Sequence, residues 1–507
     1  MPPAWDHSTS ELFGPTITEA GKEGRVHLGE SAHAPAKRKG WLVFLCVTLL
    51  GYALFGKGWA YVGVPPLYIG ELVLLGGVAW FFTLAPARLI STNSIEFLLL
   101  LSGWGMLRTL PYISTYGIDA LRDAVIWGYC AFAIILFAYI RADPTRLRWL
   151  LSRYRQFTSI FLVGIPLVWM ARYLLAGVMP RWPWADVPVI DARAGDILVH
   201  LSGILAFWVA GFGGRTGLAR AVLLAGCVAV IGAYERAGLV AFGVCFAICF
   251  CCRPSTRLLH RLVGVGCMGL VLLAVSGIRF EVPSPESTKV REVSFDYVLA
   301  NVLSVVTDTD VGDLDDTKQW RLDWWNEILD YTLKGKYFWM GKGFGINLAD
   351  DDGFQVMANR SLRSPHNGHL TMLARAGVPG LALWALAQLS WAYAVIRAYR
   401  ESRRCCDERW SSLFLFLLVY WLAFMTNASF DVFIEGPMGG IWFWAIYGVG
   451  LSAVWLHRHC PEVLYETADS DGSQLLPAAG RGGRGLLLGG ADSGILRAQR
   501  GPLHIAQ

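Results

Sequence analysis

Long apolar runs recur from Trp41 to about residue 457, each bounded by short polar stretches, and they set the fold class before any motif is read. A run of about 20 apolar residues spans a bilayer as a helix, because a helix satisfies its own backbone hydrogen bonds where water is absent. About twelve such runs are present, at 41–57, 66–85, 94–108, 124–140, 157–178, 195–212, 217–234, 237–252, 261–278, 370–396, 411–428 and 439–457. The pattern predicts an all-α polytopic membrane protein with about twelve transmembrane helices and one long outer loop. The expected organisation is an N-terminal tail over 1–40, nine helices within 41–278, the loop over 279–366, three helices within 367–457 and a C-terminal tail over 458–507. Both tails are polar or rich in Gly, Ala and Arg, a composition that cannot bury a core and predicts disorder. Lys37, Arg38 and Lys39 precede the first run and no small-residue cleavage pattern ends it, which predicts a retained signal anchor.

Inside the long loop, one segment carries helical periodicity. From Lys318 to about Leu333, Trp325, Ile328, Leu329 and Thr332 share one face while Asp323, Glu327 and Asp330 share the other. Arg321 projects with the apolar face, where an arginine without a partner would be costly. The helix is therefore expected to lie on the membrane surface or on the transmembrane body, with Arg321 directed into the protein.

Composition and charge refine this picture. Of 507 residues, 54% are hydrophobic and 16% charged, and the net charge is +5. Arginines concentrate in alternate loops, around 141–155, 215–220, 253–261 and 397–409, whereas 427–438 holds Asp431 and Glu435 and no Lys or Arg. Short cytoplasmic loops retain basic residues, so both termini are expected inside and the long loop outside. The positive balance reflects that retention and predicts no nucleic-acid partner. None of the eleven cysteines falls in the long loop, so no disulfide framework is implied.

Ionisable groups within or beside the runs need a reason, since each costs about 2.5 to 3.5 kcal/mol at a helix centre. Glu71, Arg108, Arg122, Arg172, His200, Glu235, Arg236 and Arg375 all fall towards the outer ends. A coupled transporter or flippase would place such groups near the midplane. Chemistry on a polar head group would gather them at one interface, which is the pattern here. Glu235 and Arg236 sit in a tight turn between two apolar runs, where a local ion pair is the plain alternative. Gly341-Lys342-Gly343 lacks the flanking strand and helix of a nucleotide-binding turn and is expected to be a flexible connection. The acidic runs 308–316 and 350–352 miss the calcium-loop spacing and are expected to be solvated. His366 follows Pro365, a residue favoured in a first helical turn, so its imidazole is expected near the positive end of the tenth run, held neutral and able to act as a base.

The order of elements resembles the O-antigen ligase and polymerase superfamily. The pattern is Arg-x-x-x-Trp (Arg321, Trp325), Gly-x-Gly (Gly341, Gly343) and His-Asn-x-x-Leu (His366, Asn367, Leu370), then Ala376-Gly377-Val378-Pro379-Gly380. The resemblance implies a glycosyltransferase of the bacterial inner membrane acting at its periplasmic face, without metal or cofactor. Its donor would be a glycan on undecaprenyl pyrophosphate and its acceptor a saccharide hydroxyl. It further implies that His366 is the base and that Arg236 and Arg321 bind the pyrophosphate. Arg108, Arg122 and Asn367 are expected as additional substrate contacts. A ligase would use the lipid A core as acceptor; a polymerase would use a second lipid-linked repeat unit.

Overall fold

The computed structural model describes residues 39–83, 92–214, 216–276, 280–283, 290–293 and 312–465. Both expected disordered tails lie almost wholly outside these residues. In chain order the helices are α1 (Gly40–Phe55), α2 (Lys57–Ala60), α3 (Ile69–Thr83), α4 (Asn93–Tyr116), α5 (Ile118–Gly128), α6 (Cys130–Ala142), α7 (Thr145–Leu174) and α8 (Ala194–Val209). They continue with α9 (Leu218–Gly232), α10 (Arg236–Cys252), α11 (Arg257–Ser276), α12 (Gly312–Leu329), α13 (Leu348–Asp351), α14 (Gly368–Arg404), α15 (Glu408–Ala428) and α16 (Pro437–His459). The chain is not purely helical: two short antiparallel hairpins pair residues 63–64 with 67–68 and 280–283 with 290–293.

The apolar runs fall mainly on helix, and length and hydropathy mark out fewer crossings than the twelve expected. Among the described residues, five helices are long and apolar enough to cross a membrane: α7, α11, α14, α15 and α16. A sixth qualifies if α5 and α6, bent by 45°, form one broken span. Others, such as α8, have 16 residues and reach only about 24 Å, less than the roughly 30 Å of hydrocarbon. The reason for α8 is its location, since every residue of it is buried among neighbouring helices. A helix apolar on all sides belongs inside a protein as readily as in lipid.

Three other boundaries differ from the periodicity. Helix α7 begins at Thr145, so Arg146, Arg148, Arg153 and Arg155 are helical rather than in a loop. The run at 94–108 extends to Tyr116 through Pro111. The tenth run is not continuous: Gly377 adopts φ 70° and ψ −174° inside α14, separating a buried first part, 368–376, from the long remainder.

Two cores result. The main one fills the bundle, with Trp391, Trp410, Trp444, Tyr420 and Tyr447 among its largest fully buried side chains. A smaller one binds the loop to the bundle, joining Trp324 and Ile328 of α12 to Leu348, Leu362, Leu373 and Ala374. The amphipathic helix is present as expected, starting earlier and passing into a π turn at Asp330–Lys334. Its buried face centres on Trp324, Ile328 and Thr332, with Trp325 half-buried.

Candidate active site

The turn that enters α14 is built by its polar side chains. Asn367 is the N-cap, its side-chain oxygen accepting from the backbone N–H of His369 at 3.0 Å and of Leu370 at 3.1 Å. That task occupies the oxygen expected to contact substrate. Pro365 is not in the first helical turn; it lies two residues before the cap, and His366 stands between them with φ 54°. A non-glycine residue in this left-handed region costs on the order of 1–3 kcal/mol and persists where its surroundings impose it. Here the surroundings are Arg363, held by Asp123 at 2.9 Å and the Gly345 carbonyl at 2.8 Å, and Trp325, whose indole donates to the Pro365 carbonyl at 2.8 Å.

His366 acquires a partner that the sequence reading did not assign. Its Nδ1 lies 3.5 Å from Oδ1 of Asp431, in the loop between α15 and α16. Arg193, the residue preceding α8, reaches the same oxygen at 3.7 Å, and the Val432 N–H donates to it at 2.8 Å. Burial raises the Asp431 pKa, but the His366 ring, the Arg193 guanidinium and the Val432 N–H outweigh it and hold the carboxyl below its usual range. A carboxylate facing Nδ1 favours the proton there and leaves Nε2 as the basic nitrogen.

Helix α12 ties two loops together. Arg321 donates to the Phe430 carbonyl at 3.1 Å, one residue before Asp431, while Trp325 holds Pro365, one residue before His366. Residues four apart share a helix face, so the Arg-x-x-x-Trp spacing lets one rigid element set the separation of His366 and Asp431.

The Gly-x-Gly turn is not the flexible connection expected. The break at Gly377 frees two carbonyls of α14, and the turn satisfies them: Lys342 N–H donates to Ala374 at 2.7 Å and Gly343 N–H to Arg375 at 2.9 Å. Gly341 has φ 60°, and a Cβ there would sit 2.4 Å from the Arg375 carbonyl carbon. Only glycine fits this approach. Arg375 is buried against Asp123 at 3.0 Å and the Ile346 carbonyl at 3.0 Å. Arg108 is likewise committed, donating to the Met340 carbonyl at 2.6 Å and to Tyr112 at 3.1 Å. These bonds tie α4 to the loop at Met340. Nor is the acidic run 350–352 merely solvated: Lys342 pairs with Asp351 at 2.5 Å and with the buried Asp352, which also accepts from Trp324 at 2.7 Å. Of the run at 308–316, residues 308–311 lie outside the described residues and 312–316 form the first turn of α12 rather than loop.

Arg236 begins α10, and its neighbour Glu235 accepts from the Gly195 N–H at 2.6 Å, capping α8 two residues beyond Arg193. Glu235 thereby ties the start of α10 to the start of α8. Arg172 serves the same region structurally, pairing with Asp191 at 3.0 Å. Arg122 is largely exposed and lies 3.8 Å from Asp119. Lys57, unassigned by sequence, is half-buried near it; burial, with Arg193 and Arg122 nearby, lowers its pKa against the opposing pull of Asp191. His366, Asp431, Arg193 and Arg321 therefore meet through loop 429–431, and Glu235, next to Arg236 in the chain, reaches the start of α8 two residues from Arg193.

This is the geometry on which comparison with known proteins bears. Residues 221–385 match the O-antigen ligase family model. The matched stretch contains Arg236, Arg321, Trp325, the Gly-x-Gly turn, His366 and the Gly377 break, and so supports membership of the O-antigen ligase superfamily read from those motifs. The partners that lock the ligase-like elements in place, Asp123, Arg193 and Asp431, lie outside it. No curated protein matches the chain at a significant level. Of the groups that sequence reasoning missed, Asp431 left one signal: an acid in a short loop without Lys or Arg, between two apolar runs.

Proposed function

We propose that this chain transfers a glycan from undecaprenyl pyrophosphate to an acceptor sugar hydroxyl at the periplasmic face of the inner membrane. The acceptor in this reading is the lipid A core, and the chain spans the membrane with both termini inside. The observation that carries the proposal is the pairing of His366 with Asp431 beside Arg193 and Arg321. His366 Nε2 takes the acceptor proton, and the acceptor oxygen forms a bond to the anomeric carbon as the bond from that carbon to the pyrophosphate oxygen breaks. Asp431 stabilises the imidazolium that results. Negative charge that develops on the departing pyrophosphate is met by Arg236 and Arg321, guanidinium groups placed before the reaction begins. Charged groups gathered at one end of the bundle favour a transferase over a transporter. The broken helix does not weaken this, because the carbonyls freed at Gly377 are already taken by the Gly-x-Gly turn.

His366→Ala tests the reading. Transfer should be abolished while expression, membrane insertion and binding of the lipid-linked donor persist. Donor binding lost in step with turnover would instead make His366 a structural residue. In a deletion strain, unattached full-length chains would support the lipid A core as acceptor; single repeats would indicate a polymerase.

A further inference from the structure

Helices α8 and α15 run antiparallel and are cross-linked twice. His200 Nδ1 lies 2.7 Å from the Tyr420 hydroxyl, and towards the active site Arg193 reaches Asp431 at 3.7 Å. Between these links lie Asp196 on α8 and Asn427 on α15. Asp196 lies one turn before His200 and Asn427 two turns after Tyr420, so both side chains belong to the facing stripes.

Both are buried without the partners that burial demands. Asp196 is 7% exposed and its Oδ1 has no hydrogen-bond partner; Asn427 is 0% exposed and neither its Oδ1 nor its Nδ2 has one. Such groups destabilise a fold and call for an explanation. The position of Asn427 is not loose, since its backbone carbonyl accepts from the N–H groups of Phe430 at 2.9 Å and Asp431 at 3.0 Å. An amide whose backbone is tied to the residue facing His366, and a carboxylate one turn from Arg193, present one donor and two acceptors beside the proposed base. A sugar carries that complement in its neighbouring hydroxyls. Pyrophosphate does not: it has no hydrogen to give, whereas Arg321 and Arg236 offer what it needs.

We propose that Asp196 and Asn427 form the acceptor-sugar subsite, holding hydroxyls next to the one that His366 deprotonates. The proposal rests on the transferase reading above. Asp196 accepts a hydrogen bond from a hydroxyl at Oδ1; Asn427 donates through Nδ2 and accepts through Oδ1. Stability surrendered by leaving these groups unpaired is recovered when the acceptor binds.

The test uses full-length protein in lipid nanodiscs. Substrates are the lipid-linked glycan and the lipid A core purified from cells that lack the chain, each varied while the other saturates. Asp196→Asn and Asn427→Leu should each raise the acceptor KM about 10-fold while the donor KM stays within about twofold, the size expected for one lost hydrogen bond. Asn427→Leu should also raise Tm, because an apolar side chain of similar volume removes the unsatisfied amide. If the leucine variant does not fold, Asn427→Ser carries the same KM comparison. An acceptor KM unchanged in the variants, whatever happens to kcat, would overturn the subsite, with His366→Ala still inactive and the transferase reading intact. Activity retained in His366→Ala would overturn that reading itself.

Discussion

Trp325 donates its indole N–H to the carbonyl of Pro365 at 2.8 Å, forty residues away and immediately before His366. The loop helix is thereby fastened to the turn that presents the proposed base. Arg321, one helical turn earlier, fastens the same helix to Phe430 and hence to the loop of Asp431. Positioning of the His366 and Asp431 loops is thus delegated to one helix, which also carries Arg321, proposed above to meet the leaving group.

Trp325→Phe keeps the ring and removes the donor. The Pro365 carbonyl loses its partner, and His366 loses a restraint on a left-handed backbone conformation. The expected result is a fall in kcat of about fivefold, with donor KM nearly unchanged, since one hydrogen bond contributes about 1 kcal/mol. Steady-state kinetics with donor and acceptor varied separately would check it.

Arg236 and Arg321 are predicted to act as planar, two-pronged donors rather than as point charges. Lysine preserves the charge and loses that geometry, so Arg→Lys at either position should lower transfer by about tenfold or more. Added chelator should leave the rate unchanged, the guanidinium groups supplying the positive charge. Full activity in both lysine variants, or chelator inhibition that a metal reverses, would count against the mechanism.

Gly341→Ala should unfasten the turn from the broken helix. The new Cβ would press on the Arg375 carbonyl from a backbone with φ 60°, a cost on the order of 1–3 kcal/mol. A fall in Tm of several degrees with loss of activity is expected, read by thermal unfolding in detergent. Gly103→Ala, with nothing within 4 Å of the added carbon on α4, should be neutral or mildly stabilising.

Glu435 sets a pH dependence of stability. Burial pushes its carboxyl up to about 7, partly offset by Thr371, the Arg375 guanidinium and Ser364. Between the unfolded value near 4.3 and the folded value, the folded chain keeps a proton that the unfolded chain releases. Stability should therefore fall as pH rises through that window and level off above it. Glu435→Gln should remove this component of the slope and raise Tm relative to the parent at pH 8, measured by melting curves from pH 5 to 8.

Much of the site was legible in local pattern because local rules are short-ranged. The i, i+4 spacing of Arg321 and Trp325 and the amphipathic stripe of α12 are properties of one helix, and both appear in the fold. The two glycines at 341 and 343 were visible as a pattern, yet their use was misread. A flexible link and a tight docking turn demand the same residue, and the distinction lies in Arg375, thirty-four residues on from Gly341.

The sequence by itself determined where helices form, which of their faces are apolar, and that ionisable groups crowd the ends of several runs, because these follow from hydropathy and from backbone hydrogen bonding within a segment. Only the tertiary structure decided which partners those groups meet. Arg108 reaches the Met340 carbonyl, Arg375 reaches Asp123, and His366 gains Asp431. A charge placed in a dry interior must find its partner wherever the packing of helices delivers one, and such partners lie from tens to hundreds of residues apart along this chain.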